Sequence, residues 1–380
     1  MKKLRVLELF AGIGGNRYSL TLLKEQLGIE FEIVDAVEIN PNPLSMYNNM
    51  YGTNHGPQDV MKYKKTTKEL GNVDIITHSS PCQDISTQGL RAGAEEGSGT
   101  RSSLMFESVR IVKDLRPKVV LYENVMGLLS KRNRNAYDSY KDYLMELGYR
   151  NYTIVMNACD YGCPQLRPRV YTISVLKDFS LKGFFKPTEF YNDILLKDIV
   201  MDKSEVERLK WYDMTNKTID QDLLSLNRVK LYRDYEYKEI NKDFIVYPRV
   251  CIKGMIDQPF RSTAGVYGQN GIAPTLDTKS EVKVAFKEDL TEPEAFRYLT
   301  IQECFRLQGF SDELFFKAFE ANRAHSVLRL AIGNSMSTGP VYHLFRDMIV
   351  TYFGEEYYDK EKLKTERYEV PCFSGKGIYK

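Results

Sequence analysis

The sequence predicts an α/β fold in which a doubly wound sheet is joined to a second, smaller and irregular β-rich domain. Two observations lead to this prediction. From residue 4 to about residue 178, short apolar runs alternate with segments of helical period. In residues 180–290 that alternation stops, and Lys, Tyr and Asn become frequent. A strand–helix alternation of this kind is typical of parallel sheets, so we expect the first region to be Rossmann-like.

Composition limits the possible classes of protein. The chain has 380 residues, 43% apolar and 27% charged, which is enough for two domains with real cores. The net charge is only +2, so any nucleic-acid surface must be a local patch. Six irregularly spaced cysteines do not resemble a disulfide framework and suggest a reducing compartment. With no signal segment and no apolar stretch of membrane-spanning length, we expect a soluble, cytoplasmic protein.

The first strand–helix–strand unit has the pattern of a nucleotide-binding sheet. Residues 4–10 read as a buried strand, residues 17–27 as an amphipathic helix ended by Gly28, and residues 31–37 as a second strand. A glycine turn connects the first strand to the helix. Such a turn lets a ligand approach the backbone closely, and the helix N-terminus favours an anion.

Several residues around this turn are candidate ligand contacts. Gly12 and Gly14 form the turn, Phe10 offers a ring face to an adenine, and Glu38 after the second strand is placed to accept from ribose hydroxyls. The turn lacks the third spaced glycine of G-x-G-x-x-G and is compatible with a purely structural role. Asp59 could hold an adenine amino group, although a lone loop Asp is most often a turn or cap residue.

A cysteine at the end of the third predicted strand is a candidate nucleophile. The apolar run 73–77 leads into Cys82, which is followed by a glycine- and serine-rich loop over residues 86–103. This arrangement presents one thiol at the base of a loop. The alternative is a small buried residue, which is the usual environment of a free cysteine.

Charged residues border two later strands. Glu123 follows the run 119–122, which would set its carboxylate at the ligand edge of an open α/β sheet. Arg167 and Arg169 precede the run 170–175 and, at i and i+2, should point the same way toward an anion or a carbonyl. A capping or ion-paired acid and a solvated basic turn remain the alternatives. Cysteine and histidine spacings do not indicate a metal site.

The remaining pattern completes the domain plan. Thr300 and Glu303 predict a capping box in a helix that begins at Arg297, and residues 333–335 should open a last helix over 341–352 that returns to the first sheet. Further predicted elements are a strand over 152–157 and helices over 101–113 and 135–147. We therefore divide the chain into 1–178 (ligand-binding and catalytic), 179–324 (recognition), 325–352 (a return segment) and 353–380 (a charged tail).

The predicted second domain has the composition of a nucleic-acid contact surface. Basic side chains alternate with tyrosines, which suits phosphate contacts and the reading of base edges. A lysine-rich solvated surface would have the same composition, so this pattern leaves both interpretations open.

The order of the motifs resembles that of the DNA (cytosine-5)-methyltransferase family, of the bacterial or phage type. The resemblance extends from residue 4 to about residue 350 and rests on residues 10–15, Glu38, Asp59, 81–83, Arg101 with 104–106, 116–118, 123–125, 165–169, 297–300, 307–310 and 333–335. The recognition region of the family falls in the expected gap. The resemblance implies a methyltransferase sheet and transfer of a methyl group to carbon 5 of cytosine in double-stranded DNA.

The same resemblance implies a role for each candidate residue. Cys82 would be the nucleophile, Glu123 and Arg169 would hold a flipped cytosine, and Arg167 would support them. The cofactor would be S-adenosylmethionine, bound by Phe10, Gly12, Gly14, Glu38, Asp59 and Asn334. We expect a monomer that needs neither metal nor membrane. A cognate restriction endonuclease is a possible partner that the sequence does not reveal.

Three other functions share part of this pattern. A tRNA methyltransferase of the same family would carry a Cys-Phe-Thr signature in its recognition region, and the sequence has none there. A catalytically silent DNA-binding relative would not need Cys82, Glu123 and Arg169. A nicotinamide dehydrogenase would share the glycine turn but not the cysteine and arginine motifs. Asn16, Ile85 and Gln88 depart from residues usual in the family, which puts loop dynamics in question rather than the chemistry.

Overall fold

The computed structural model describes residues 1–81, 101–185, 187, 194–202, 206, 252–255, 265–278, 282–287 and 295–365. Cys82, residues 86–100 of the predicted loop, most of the predicted recognition region and the end of the tail lie outside these ranges.

A six-stranded sheet forms the centre of the described fold. Its strands are β1 (Leu4–Leu9), β2 (Phe31–Val37), β3 (Ile75–His78), β4 (Val119–Val125), β5 (Tyr149–Asn157) and β6 (Pro168–Leu176). They lie in the order β2-β1-β3-β4-β6-β5. Neighbours among β2, β1, β3 and β4 pair in parallel, and β6 is antiparallel to both β4 and β5. This arrangement confirms the predicted doubly wound α/β class.

Helices alternate with these strands as the periodicity predicted. They are α1 (Gly15–Leu27), α2 (Pro41–Tyr51), α3 (Thr67–Leu70), α4 (Met105–Leu115) and α5 (Arg134–Glu146). Helix α1 ends at Gly28, whose left-handed backbone lets its N–H donate to the Lys24 carbonyl. The central strands are buried on both faces, which is why they read as continuous apolar runs.

A second, smaller sheet follows, in agreement with the predicted β-rich region. It consists of β7 (Ile252–Met255), β8 (Gly265–Gly268), β9 (Lys283–Ala285) and β10 (Phe296–Tyr298), in the order β10-β9-β8-β7. The short helix α6 (Leu196–Ile199) precedes it. The later helices are α7 (Ile301–Leu307), α8 (Asp312–Ala321), α9 (His325–Asn334), α10 (Thr338–Tyr352) and α11 (Lys360–Thr365).

The predicted helix start at Arg297 was wrong by four residues. Arg297 lies in strand β10, opposite Val284, and the helix begins only at Ile301. The capping box is confirmed: the Thr300 side chain accepts from the Glu303 N–H, and the Glu303 carboxylate accepts from the Thr300 N–H. Because an N-cap residue has extended backbone geometry, this box sets the start of the helix and leaves the preceding residues free to pair as a strand.

The predicted role of residues 333–335 as a helix start was also wrong. Asn334 is the last residue of α9, and α10 begins at Thr338 with Pro340 in its first turn, where proline is well tolerated. Helix α10 contacts helix α1 of the first region. Ser19 Oγ of α1 donates to the Thr338 carbonyl at 3.0 Å, so α10 packs directly on α1.

The later helices and the start of the tail also contact the first sheet's helical layer. Asn49 Nδ2 of α2 donates to the Lys317 carbonyl of α8 at 2.6 Å. The Asp359 N–H donates to the Leu27 carbonyl at 3.0 Å, which ties the described part of the tail to the end of α1. The proposed division at residues 178, 324 and 352 stays a prediction. Among the helices in the described ranges, none combines the length and apolar character needed to cross a bilayer.

Candidate active site at the carboxyl edge of the sheet

The glycine turn after β1 combines one tightly packed and one open position. Both Gly12 (φ 56°) and Gly14 (φ 81°) are left-handed, as is Phe10 (φ 57°). A Cβ on Gly14 would lie 2.5 Å from Tyr51 Cε2, so only glycine fits against that ring. A Cβ on Gly12 would have no heavy atom within 4 Å. The turn is therefore packed from below at Gly14 and open at Gly12, as a ligand-binding turn requires.

Glu38 at the end of β2 is joined to this turn. Its carboxylate accepts from the Gly12 N–H at 3.0 Å and from the Asn40 N–H at 2.8 Å. Burial raises the pKa of Glu38, and these backbone N–H groups oppose the rise. The structure thus brings the turn and the acid together at the carboxyl ends of two adjacent strands.

A buried polar cluster beneath the turn was not predicted. Glu8 of β1 accepts a hydrogen bond from the Tyr47 hydroxyl at 2.6 Å, and the Tyr51 hydroxyl donates to the Gly14 carbonyl at 2.8 Å. The Arg17 guanidinium lies over both rings, 5.3 Å from the Tyr47 centroid and 4.7 Å from the Tyr51 centroid. An acid inside an apolar strand was the signal available in the sequence.

Two further predicted cofactor contacts lie near the turn. Asp59 caps a single 3₁₀ turn by accepting from the Met61 N–H at 3.0 Å, so the cap alternative is observed. Asn334 is exposed at the end of α9. Two residues later, Met336 Cγ would lie 2.7 Å from a Cβ on Gly15, which places this segment against the start of α1.

Glu123 and Arg169 come together on neighbouring strands. Glu123 lies in β4 and is buried, with a relative exposure of 8%. The β4–β6 register sets Arg169 opposite Val125, on the same face of the sheet as Glu123. Arg169 Nε lies 3.4 Å from Glu123 Oε1. The Ser79 hydroxyl, at the end of the β3 segment, donates to the Glu123 carboxylate from another side.

Arg167 has a different set of partners from Arg169. Its guanidinium is buried and donates to the carbonyls of Leu276 at 2.5 Å, Ser335 at 2.7 Å and Gly333 at 3.2 Å. The two arginines therefore do not converge on one group in this structure. The contacts of Arg167 join the β6 segment to the segment that carries Asn334, which fits a supporting role.

The approach to Cys82 is firmly held, although Cys82 itself lies outside the described residues. His78 stacks on Tyr122 with ring centroids 4.3 Å apart, and its Nε2 lies 2.7 Å from the Tyr140 hydroxyl. Burial lowers the pKa of His78 to about 3, so the ring is neutral at physiological pH. With Ser79 bonded to Glu123, the chain enters the Cys82 loop from beside that carboxylate. The part of the chain that is described contains no group of three or more His, Cys, Asp or Glu placed to hold a metal.

Comparisons with known proteins agree with this arrangement. A family model described as C-5 cytosine-specific DNA methylase matches residues 4–350. The Type II methyltransferase M.FnuDI of Fusobacterium nucleatum is 30% identical, with 96% of this chain and 98% of that protein covered. The orphan methyltransferase M.SssI of Spiroplasma monobiae is 30% identical, with 65% of this chain and 77% of that protein covered.

Solved structures show the same fold at low sequence identity. The S. pombe Dnmt2 methyltransferase superposes with a TM-score of 0.61 at 19% identity, covering 92% of this chain and 98% of that chain. A putative DNA modification methyltransferase from an E. coli prophage gives a TM-score of 0.55 at 20% identity, covering 92% of this chain and 100% of that chain.

Proposed function

This chain belongs to the C-5 cytosine-specific DNA methylase family, and we propose that it methylates a flipped cytosine in a specific duplex site through a covalent adduct on Cys82. The family makes the chain a DNA (cytosine-5) methyltransferase. One observation carries the finer proposal. Glu123 contacts Arg169 on one side and Ser79 on the other, so an acid, a base-binding cation and the entrance to the Cys82 loop meet at one point.

The chain's residues can supply the groups that this reaction needs. Carbon 5 of cytosine is a weak nucleophile, and addition of the Cys82 thiolate to carbon 6 shifts the ring electrons toward carbon 5. Glu123 would hold ring nitrogen 3 and the amino group, and Arg169 would donate to the carbonyl at position 2. After methyl transfer the carbon-5 proton passes to water, the electron pair of that carbon–hydrogen bond re-forms the double bond between carbons 5 and 6, and the carbon–sulfur bond breaks to return the thiolate. A stacked base cannot reach these groups, so it must flip out.

The cofactor edge fits S-adenosylmethionine, which when bound supplies an electrophilic methyl group. The space above Gly12 is open, and the Glu38 carboxylate lies against that glycine, where ribose hydroxyls could donate to it. Phe10 would offer its ring to the adenine and Asp59 an acceptor to the adenine amino group. Asn334 would complete the site from α9, and Gly14 keeps the turn in shape.

The biological role is proposed from the relatives. M.FnuDI is named a Type II methyltransferase, which supports a restriction–modification role. Protection of phage DNA is the alternative role. Either role needs access to cellular double-stranded DNA, so we place the enzyme in the cytoplasm. Bisulfite sequencing of DNA from cells that express this chain would give the modified base and its sequence context.

The covalent step is tested with DNA in which 5-fluorocytosine replaces cytosine. Fluorine cannot leave as the carbon-5 proton does, so the adduct should persist after methyl transfer. We expect a complex that requires S-adenosylmethionine, survives denaturing electrophoresis and maps by mass spectrometry to the Cys82 peptide. Cys82→Ala should abolish both trapping and turnover while DNA binding persists.

The other cysteines provide the control. Cys159 and Cys163 are both buried near the arginine motif, and burial raises the pKa of Cys163 to about 12, so its thiol is protonated at neutral pH. Cys159→Ser should keep trapping. Methylation retained by Cys82→Ala, or an adduct that maps to Cys159 or Cys163, would contradict the assignment of the nucleophile.

A further inference from the structure

We propose that Asp35 is a positioning residue for the cofactor, because its carboxylate fixes the segment 55–65 that carries Asp59. The inference rests on the proposed function, in which Asp59 receives the adenine. Asp35 lies in β2 and is 3% exposed. It was not among the residues that the sequence pattern singled out.

Within the described ranges, four side chains contact the Asp35 carboxylate, and all four come from this one segment. Oδ1 accepts from Gln58 Nε2 at 3.1 Å and lies 3.4 Å from His55 Nδ1. Oδ2 accepts from the Tyr63 hydroxyl at 3.0 Å and from Lys65 Nζ at 2.7 Å. These partners lie on both sides of Asp59 in sequence, so the carboxylate holds the segment at both ends of the turn that Asp59 caps.

A backbone contact links the same segment to the cofactor edge. The Gln58 N–H donates to the Glu38 carbonyl at 2.9 Å, so the residue before Asp59 is bonded to the residue proposed to hold the ribose. The distance between the two proposed adenosine contacts therefore depends on how this segment sits on β2. Its described regular structure is a single 3₁₀ turn, Val60–Lys62, which cannot fix that position by itself.

The chemistry of Asp35 indicates a strong anchor. Burial alone would raise the pKa of Asp35, but hydrogen bonds from His55, Lys65 and Gln58 outweigh it and hold that pKa well below its usual range. Charge-assisted hydrogen bonds to a buried carboxylate are among the stronger ones in proteins. Asp35→Asn would replace one carboxylate oxygen by an NH2 group, which cannot accept a hydrogen bond, so donors of the segment would lose an acceptor and the segment would settle in a new position.

The test compares affinity with stability in the full chain. Asp35→Asn and Lys65→Met should weaken binding of S-adenosylmethionine by roughly fivefold or more in calorimetry. Binding of 5′-methylthioadenosine should weaken by a similar factor, because it shares only the adenosine half. In methylation assays the loss should appear in KM for S-adenosylmethionine rather than in kcat. Lys65→Arg, which keeps the charge, should restore most of the affinity.

A second buried acid provides a matched control. Asp74 is 7% exposed, accepts from the Arg5 N–H at 2.9 Å and from Lys118 Nζ at 2.7 Å, and lies at the opposite end of β3 from the proposed site. Asp74→Asn should lower Tm without changing either affinity. If Asp35→Asn and Lys65→Met also lower Tm without changing either affinity, the positioning role is overturned. Lys65→Met keeps the test usable if Asp35→Asn does not fold.

Asp59→Ala separates this inference from the proposed function. If Asp59→Ala weakens cofactor binding but Asp35→Asn and Lys65→Met do not, only the positioning role fails. If Asp59→Ala binds 5′-methylthioadenosine as the wild type does, the proposed adenine contact fails and the inference fails with it.

Discussion

At the scale of single residues, the acids near the carboxyl edge have opposite pKa shifts because their partners differ. Asp35 receives cationic and neutral donors, and its pKa is held low. Glu8 is fully buried, and burial raises its pKa although the Tyr47 hydroxyl and the nearby Arg17 oppose the rise. Glu38 also has a raised pKa from burial, although the Gly12 and Asn40 N–H groups donate to it. These acids lead to three predictions.

The first prediction concerns Glu38 and the cofactor. Glu38→Ala should weaken S-adenosylmethionine binding by roughly tenfold or more, the effect of losing a charge-assisted hydrogen bond. Calorimetry in the absence of DNA measures this directly. Glu32→Ala on the same strand, where the acid is half exposed and paired with Arg5, should leave the affinity unchanged. An unchanged affinity in Glu38→Ala would contradict the proposed contact between Glu38 and the ribose hydroxyls.

The second prediction concerns stability and pH at Glu8. Its folded-state pKa is raised, so its contribution to stability is complete below the unfolded carboxyl pKa of about 4.3 and is lost as pH rises through the folded value. Glu8→Gln removes this titration. The variant should therefore gain free energy of unfolding relative to wild type as pH rises from 4 toward 8, as urea denaturation would show. If the difference in free energy of unfolding between Glu8→Gln and wild type is constant across this range, the raised pKa of Glu8 is contradicted.

Asp35→Asn should show the opposite dependence. Because the folded pKa of Asp35 is depressed, its stabilising contribution is present above an unfolded pKa of about 3.9 and is lost as pH falls. The destabilisation caused by Asp35→Asn should accordingly be largest near neutral pH and shrink in acid. Urea denaturation at pH 3 and pH 7 would measure this destabilisation. A larger loss of free energy of unfolding at pH 3 than at pH 7 would contradict the depressed pKa of Asp35.

At the scale of elements, two glycines with left-handed backbone allow the effect of backbone strain to be measured apart from the loss of a ligand contact. Gly12 (φ 56°) and Gly52 (φ 64°) both have open space where a Cβ would be, so Ala at either position costs a similar conformational strain of about 1 kcal/mol. Only Gly12 lies in the proposed cofactor turn. Gly12→Ala should lose cofactor affinity and Gly52→Ala should not, with similar losses in Tm. Equal affinities would show that the space above Gly12 holds no ligand.

The sequence predicted those elements whose local pattern agreed with their packing. Strand β2 was predicted with its observed bounds, and Gly28 was correctly identified as the end of α1. The start of α7 was misplaced because the pairing of β10 with β9 depends on residues distant in sequence. The end of α9 was missed for a similar reason: a Cβ on Gly333 would lie 2.5 Å from the Asp277 carbonyl oxygen, a contact that no local pattern reveals.

The residues of the candidate site also fall into those that could be found from sequence and those that could not. Glu38 and Glu123 could be found from sequence because the ends of parallel strands share one edge of a sheet. Asp35 could not, because its partners lie twenty or more residues away and include ordinary loop side chains. The cluster of Glu8, Tyr47 and Tyr51 needed a three-dimensional structure for the same reason. The nucleophile role of Cys82 stays a prediction, since that residue lies outside the described ranges.

At the scale of the whole molecule, buried polar side chains join the segment before β6 to segments from the last third of the chain. Gln165 Nε2 donates to the Leu307 carbonyl at 2.8 Å, and its Oε1 accepts from the Leu276 N–H at 3.1 Å. Gln308 Nε2 donates to the Ile332 carbonyl at 3.1 Å. These contacts, with those of Arg167, connect the β6 segment, the connection between β8 and β9, and helices α7 and α9. Because each group is buried, loss of one partner leaves another unpaired.

These buried contacts limit which residues can be exchanged in a test of sequence specificity. Exchange of residues 180–290 with those of a relative should move the methylated site, because basic and aromatic side chains gather there. Residues 265–278 should be kept from this chain, since Leu276 contacts both Gln165 and Arg167. Bisulfite sequencing reads the result. A site that stays unchanged in a folded, active hybrid would place specificity elsewhere.

Salt dependence tests the same surface independently. If these basic side chains follow DNA phosphates, the binding constant should fall steeply as salt rises, because each contact releases counterions. Binding isotherms between 50 and 200 mM salt would show a loss on the order of a hundredfold or more for about five contacts. A flat response would argue against a phosphate-tracking surface.

The packing of α10 on α1 also has a consequence for synthesis on the ribosome. Ser19 and the Thr338 carbonyl to which it donates are 319 residues apart. At about 5–20 residues per second, α1 leaves the ribosome some tens of seconds before the helix that covers it. During that interval the part of its apolar face that α10 covers has no native partner. We therefore expect nascent chains that stop before residue 338 to be chaperone clients that aggregate readily, while chains that include α10 can complete the docking step.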